Sequence, residues 1–150
     1  MDFSDLVSQM PTAVPMVGTL NIEFLELEPQ RVLLRLPDQA EYHNHIGGPH
    51  AGAMFTLAET ATGAIVLGNF GMHLDKAVPL AVDASIRYLK VAHGDLLAEA
   101  RLAESPDSIL ATLQAGSRPE FRIAVDLRTA DGTTTGEASF LWTLKPLRRG

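Results

Sequence analysis

The sequence has 150 residues, of which 46% are hydrophobic, and a formal net charge of −6. That charge argues against a protein that binds nucleic acid through its phosphates, because such binding needs a positive surface. The chain contains no cysteine, so disulfides, thiolate catalysis and cysteine-based zinc sites are excluded and a cytoplasmic location is expected. The first ten residues lack the pattern of a signal peptide, and we expect no run of the roughly 18 apolar residues that span a membrane.

The length predicts one domain over residues 1–150, and its first elements are short. A helix is predicted over about residues 2–10, with Asp2 or Ser4 as its cap and Pro11 as its end. Two strands are predicted in the segments TLNIEFLELEP and QRVLLRL, because apolar and polar residues alternate in the first and the second is rich in strand-forming residues. The chain therefore begins with a helix and two strands.

A long central helix is predicted from about Pro49 to Gly68, with Pro49 in its first turn. Helical spacing places four apolar residues on one face, namely Met54, Ala58, Ala61 and Ile65. Alanine and glycine recur along this segment and make the helix thin, so other backbones can approach it closely. We expect a helix that other elements surround.

The remainder of the chain is predicted to be mainly β-structure. The segments PLAVDASIRYLKV and DLLAEARLAES are typical strands, and a helical insert is predicted over about residues 106–115. The last two strands form a hairpin that turns at Asp131 and Gly132. A sheet curled around one helix packs these elements economically, so we predict an α+β fold.

Glu59 places a carboxylate in the middle of the apolar helix, on the face that also carries Phe55, Thr62 and Val66. Removing a lone charge from water costs several kcal/mol, and the helix has no lysine or arginine to pair with Glu59. Two interpretations are open. The face is solvated or meets an arginine from elsewhere, such as Arg87, or the carboxylate lies at a ligand cleft or protein–protein seam and acts as a base or nucleophile.

The start of the helix is a second candidate feature, because free N–H groups at Ala51 and Gly52 suit a developing oxyanion. Gly52 precedes Glu59 by seven residues, so the two share one side of the helix about 10 Å apart. One carbonyl group cannot contact both in one chain. Two chains with antiparallel helices would bring each Glu59 to the partner's helix start, so we expect a homo-oligomer. In the alternative interpretation, the Gly-Gly-Pro segment is only a turn.

The loop before the helix carries further polar candidates. Asn44 is positioned to donate an amide hydrogen bond to a carbonyl group, although turn asparagines often have only a structural role. His43, His45 and His50 raise a metal hypothesis, because His-x-His places two rings on one side of an extended segment. The chain shows no familiar spacing for further ligands, so we predict neither a metal nor a cofactor.

These motifs resemble the hotdog-fold superfamily and, within it, the PaaI-like acyl-CoA thioesterases. The resemblance rests on Asn44, on GPHAGA at residues 48–53, on FTLAET with Glu59, on AVDASIRYLKVAHGD and on the final GEASFLWTLKP. It covers about residues 19–146. It implies an antiparallel sheet wrapped around a long central helix, and two subunits that join their sheets edge to edge with the site between them.

The resemblance also implies roles for individual residues. Asn44 matches the residue that orients the thioester carbonyl or the water, and the peptide N–H of Ala51 or Gly52 matches the oxyanion donor. His50 belongs to the same motif and is included with the catalytic candidates. Glu59 matches the catalytic carboxylate, supplied by the other subunit.

Further positions are expected to contact the substrate, and two positions depart from the family's pattern. The expected contacts are Gly48, Phe55, Thr56, Thr62 and Ala81. Ala51 stands where the family usually has glycine, which keeps the backbone donor but adds bulk. Ala81 stands where some members have a serine or threonine that positions water.

We therefore predict a homo-oligomeric acyl-CoA thioesterase, a dimer or tetramer without cofactor. One alternative is a hotdog module that binds acyl-CoA or another acyl ligand without hydrolysing it. A second is a hydratase or dehydratase on the same fold, which would need a second acid–base residue beside His50. No nucleic-acid or membrane partner is expected.

Overall fold

The computed structural model describes residues 1–148, in which a six-stranded antiparallel sheet curls around one long helix. The strands lie in the order β1-β2-β4-β5-β6-β3, and the predicted α+β hotdog fold is confirmed. The helices are α1 (Leu6–Ala13), α2 (Pro15–Thr19), α3 (Ala51–Phe70) and α4 (Pro106–Gln114). The strands are β1 (Glu23–Glu28), β2 (Arg31–Leu36), β3 (Ala77–Tyr88), β4 (Leu96–Leu102), β5 (Glu120–Thr129) and β6 (Thr134–Pro146).

The central helix α3 fills the concave side of the sheet. The face predicted to be apolar is buried, and its members are Met54, Ala58, Ala61 and Ile65. The helix begins two residues later than predicted, because Pro49 lies ahead of the N-cap and the His50 ring caps the first turn by accepting a hydrogen bond from the Gly52 N–H. It continues past Gly68 to Phe70, because Gly68 does not end the helix but receives the ring of Phe3.

The N-terminal segment differs from the prediction. The helix α1 continues through Pro11, and a second short helix, α2, follows it in a segment for which the sequence predicts no element. One proline removes a single hydrogen bond from this short helix. Leu6 and Met10 are both buried in the core, and this packing stabilises α1 despite the lost hydrogen bond. Asp5 is the N-cap, in place of Asp2 or Ser4.

Small residues on α3 allow this N-terminal segment to wrap around it. A Cβ atom at Gly68 would overlap the ring of Phe3, and one at Gly71 would overlap the backbone of Met1. Nearer the middle of the helix, Gly63 faces Met10. The thin helix is therefore covered by the first residues of the chain on the side that the sheet leaves open.

Strand β3 is one edge of the sheet, and its outer surface is apolar. It pairs with β6 on one side only, and a bulge at Val82 interrupts the pairing. Val78, Leu80 and Val82 are exposed. An unpaired edge strand that carries exposed apolar side chains can pair with a strand of another chain.

The segment Ala51–His73 corrects one expectation from the sequence. By length and composition it is a candidate membrane span, because an 18-residue stretch within it has a mean hydropathy of 1.3. However, 61% of that stretch is buried inside the fold. A core helix passes the same test, because a helix wrapped by a sheet must be apolar on nearly every side.

Gly48 offers a test of the packing that holds the loop before α3. A Cβ atom there would overlap the carbonyl oxygen of Ala92, which is a backbone atom and not the end of a flexible side chain. We predict that Gly48→Ala lowers the free energy of unfolding by about 1–3 kcal/mol, the usual effect of overpacking. Urea unfolding monitored by circular dichroism measures this.

Gly63→Ala is the matched control, because its new Cβ would lie at an ordinary 3.7 Å from Met10. Alanine also favours a helix interior over glycine. A Gly48→Ala variant as stable as Gly63→Ala would contradict the proposed close approach.

Candidate active site

Glu59 lines a small apolar cavity. The cavity has a volume of about 180 Å³, and its other lining residues are Met10, Val14, Gly63, Leu67, Pro79 and Trp142. Burial among these residues raises the pKa of the Glu59 carboxyl above its ordinary value of 4.5. A carboxylate whose proton affinity is raised in this way is a better base than one in water.

No cation neutralises Glu59 within residues 1–148. The arginine proposed as a partner, Arg87, instead pairs with Glu137 at 3.2 Å. Glu99, by comparison, is a buried carboxylate that forms ion pairs with Arg31, Arg101 and Arg128. The interpretation of Glu59 as an ion-pair partner of Arg87 is therefore wrong.

The helix start differs from the prediction at one donor. The Gly52 N–H donates to Nδ1 of His50 at 2.8 Å, so it is not free. The Ala51 N–H, by contrast, meets no acceptor in the described part of the chain, and Ala51 is exposed. The hydroxyl of Tyr88 donates to the Ala51 carbonyl oxygen at 3.0 Å and fixes the first turn. Of the two predicted oxyanion donors, Ala51 is therefore the one with a free N–H in the described part of the chain.

Asn44 shapes the loop and still presents its amide to the helix start. Its Oδ1 accepts hydrogen bonds from the N–H groups of Ile46 at 3.0 Å and Gly48 at 3.1 Å. Its Nδ2 donates to the Pro49 carbonyl oxygen across 3.4 Å, a weak contact. The oxygen is therefore committed to the turn, whereas the NH₂ group retains donor capacity.

Two clefts flank the helix start, and Glu59 lines neither of them. One, of about 340 Å³, is lined by Asn44, Ile46, Pro49, Ala51, Met54, Tyr88, Leu89, Lys90, Val91 and Ala92. The other, of about 480 Å³, is lined by Met16, Leu20, Glu41, Tyr42, His43, His50, Gly52, Ala53 and Thr56. One chain therefore brings Asn44, His50, Ala51 and Gly52 together and leaves Glu59 in a separate cavity.

The remaining candidates lie at different depths. Phe55 packs against Phe140, with ring centroids 5.3 Å apart, and is partly buried. The Thr56 hydroxyl donates to the Gly52 carbonyl oxygen at 2.9 Å. Ala81 is exposed on the edge strand β3.

Thr62 does not lie on a surface, contrary to the expectation that it contacts substrate. Its side chain is buried, donates to the Glu59 carbonyl oxygen at 2.8 Å and accepts from Nε1 of Trp142 at 2.9 Å. These contacts fix the turn of helix that carries Glu59. The sequence could not reveal Trp142 as a neighbour of the site, because 80 residues separate it from Thr62.

The histidines of the loop do not converge. Nε2 of His43 lies 2.6 Å from the Asp38 carboxylate, whereas Nδ1 of His50 accepts a hydrogen bond from the Gly52 N–H. Within residues 1–148, no group of three or more histidine, aspartate or glutamate side chains is arranged to hold a metal ion.

Solved structures with the same fold include several proteins named as thioesterases. A Pseudomonas aeruginosa protein of unknown function, PA5026, described as a probable thioesterase, is 29% identical, with a TM-score of 0.81 over 97% of this chain and 94% of its own. A mutant form of the Pseudomonas aeruginosa thioesterase PA1618 is 18% identical, with a TM-score of 0.76 over 98% and 96%. The protein smu.793 from Streptococcus mutans, bound to acetyl CoA, is 19% identical, with a TM-score of 0.66 over 86% and 92%.

No curated protein sequence matches this chain. Residues 3–144 match the family described as a domain of unknown function, DUF4442, which is a family of the hotdog fold. The match covers nearly the whole chain and agrees with the sheet order and the central helix. The protein is therefore a member of the DUF4442 family of hotdog proteins.

Proposed function

We propose that the protein is a thioesterase that hydrolyses acyl-CoA-type thioesters at two sites shared between the subunits of a homodimer. The observation that carries the proposal is Glu59, a carboxylate in an apolar cavity with a raised pKa and without a counter-charge in the described chain. The thioesterase names of PA5026 and PA1618 support the reaction class. The acetyl CoA bound to the Streptococcus mutans protein supports the substrate class.

The separation of Glu59 from the helix start is the reason to expect two subunits. In an antiparallel pair of α3 helices, Glu59 of one chain approaches Gly52 of the other when the two-fold axis passes midway between them, near Phe55 and Thr56. These four residues form a partly or fully exposed stripe on a helix that is otherwise mostly buried. The exposed apolar edge of β3 would pair with its own copy around the same axis.

The proposed chemistry is general-base hydrolysis. Glu59 accepts a proton from water as the water oxygen bonds to the thioester carbon, and the carbonyl electrons move onto oxygen. The partner chain's helix start would stabilise that charge through the Ala51 N–H and the Asn44 amide. Cleavage of the carbon–sulfur bond then expels the thiolate, which takes the proton held by Glu59.

The cleft beside Asn44 and Ala51 suits the thiol-bearing arm of the substrate. Its wall is mainly apolar, and Lys90 contributes a positive charge. A pantetheine arm is long and weakly polar, and CoA carries phosphates at its far end. The cleft would therefore place the sulfur at the helix start and a phosphate toward Lys90.

A non-catalytic acyl-CoA binding module is the second candidate. Two observations favour it over a fast enzyme. The Gly52 N–H already donates a hydrogen bond to His50, and Ala81 has no hydroxyl group that could position water. The module would keep the clefts and lack turnover. A cytoplasmic location stays a prediction in either case.

We predict that Glu59→Gln reduces kcat by about 10²–10⁴-fold, because glutamine cannot accept the proton from water. Thiol release from short, medium and aromatic acyl-CoA thioesters measures this. The wild-type rate should rise with pH until Glu59 is ionised, and the midpoint should lie above 4.5. Equal rates for Glu59→Gln and the wild type would contradict the catalytic role.

Thermal unfolding across pH provides the control for Glu59→Gln. The folded-state pKa is raised, so the stabilisation that protonated Glu59 contributes is complete below pH 4.5 and is lost as the pH rises through the folded-state pKa. Glutamine cannot ionise. The variant should therefore be the more stable protein near pH 7, and the difference should shrink toward pH 4.

We predict that Asn44→Asp lowers kcat by about 10²–10³-fold, because aspartate lacks the amide donor and adds negative charge where the oxyanion forms. Aspartate can still accept from the N–H groups of Ile46 and Gly48, so the loop should remain folded. Asn44→Ala is the matched variant, since it loses both the donor and the turn. An unchanged kcat in both variants would remove Asn44 from the site.

A further inference from the structure

We propose that the cavity beyond Glu59 receives the apolar tail of the acyl group, and that Met10, Gly63 and Trp142 limit this tail to about six carbons. This inference rests on the proposed thioesterase function and names the substrate class of that site. The thiol arm would lie in the cleft of one subunit and the acyl tail in the cavity of the other.

The position of the cavity follows from the helix that carries Glu59. Gly63 lies one turn after Glu59 on the same side of α3, and both line the cavity. Because Gly63 has no side chain, the space between Met10 of α1 and the Trp142 ring of β6 stays open. A thioester carbon beside Glu59 would direct its acyl tail into this space.

The chemistry of the wall fits an apolar group. Except for the Glu59 carboxylate, the lining consists of aliphatic, thioether, proline, glycine and tryptophan surfaces. The one polar atom of the tryptophan ring, Nε1, is already bonded to the Thr62 hydroxyl. A polar acyl group would therefore find no hydrogen-bond partner at the end of the cavity.

The size of the cavity sets the length of the tail. A dry apolar cavity of about 150 Å³ holds one benzene ring. The cavity of about 180 Å³ is of the same order, so it accommodates an alkyl chain or ring of about six carbons. Met10, Leu67 and Trp142 line the cavity, and Met10 and Trp142 are buried in the core.

Binding can be tested without turnover, because Trp142 is the only tryptophan in the chain. Titration with 1-hexanol or benzyl alcohol should change its fluorescence saturably, whereas ethanol should have little effect at the same concentrations. Gly63→Ala should weaken the response to both 1-hexanol and benzyl alcohol, since its methyl group would occupy the space between Met10 and Trp142. Equal responses in the wild type and Gly63→Ala would overturn the assignment of the cavity.

Selectivity is tested by comparing propionyl-CoA, hexanoyl-CoA and decanoyl-CoA. Gly63→Ala should reduce kcat/KM for hexanoyl-CoA about 10-fold or more relative to propionyl-CoA, the effect of one methylene group in an apolar pocket. Val7→Ala, at an exposed position of α1 that does not line the cavity, should retain the wild-type ratio. An unchanged ratio in Gly63→Ala, with both substrates hydrolysed, would overturn the inference and leave the proposed function intact.

The two tests separate the inference from the function on which it rests. If the wild-type protein cleaves none of these thioesters, the proposed function fails. In that case, a saturable response of Trp142 that Gly63→Ala weakens would still support the cavity as an apolar tail site.

Discussion

The burial of the Glu59 carboxylate on the central helix is the constraint around which the other features of this protein are arranged. An unpaired carboxylate in an apolar cavity lowers the free energy of unfolding at neutral pH, so it persists only where other packing offsets it. The molecule contains its own contrast, since Glu99 is buried beside three arginines, whereas Glu59 is partly buried and lies beside none of the described cations. We therefore infer a structural role for Glu99, and the same contrast supports the proposed chemical role of Glu59.

The thin helix provides the packing that makes this possible. Small residues let the sheet wrap one side of α3 and let Met1, Phe3 and Met10 approach the other side. The same thinness leaves an open cavity next to Glu59 and an exposed stripe at the start of the helix. Within one chain, Glu59 and the helix start line separate cavities, and the proposed reaction therefore needs a second subunit.

Much of the fold could be predicted from the sequence, because its strands and central helix follow local periodicity. The apolar face of α3, the helical insert and the closing hairpin are examples. The errors arise where distant residues decide the outcome. Burial of Leu6 and Met10 carries α1 through Pro11, and the His50 ring takes the Gly52 N–H from the predicted oxyanion hole. The indole N–H of Trp142 donates a hydrogen bond to Thr62, so the side chain that was predicted to contact substrate lies in the core. Glu59 and Asn44 could be selected as candidates from the sequence alone, because a carboxylate is unusual in an apolar helix and an asparagine precedes the Gly-Gly-Pro turn.

The shared site is the central claim, and a mixed dimer tests it most directly. Glu59→Gln and Asn44→Asp chains, coexpressed with different affinity tags and purified through both, would form a heterodimer. If each site takes Glu59 from one chain and Asn44 from the other, one of the two sites is intact, and the heterodimer should recover about half of the wild-type activity. Each homodimer should remain nearly inactive. A heterodimer no more active than the two homodimers would contradict a site that is built from two subunits.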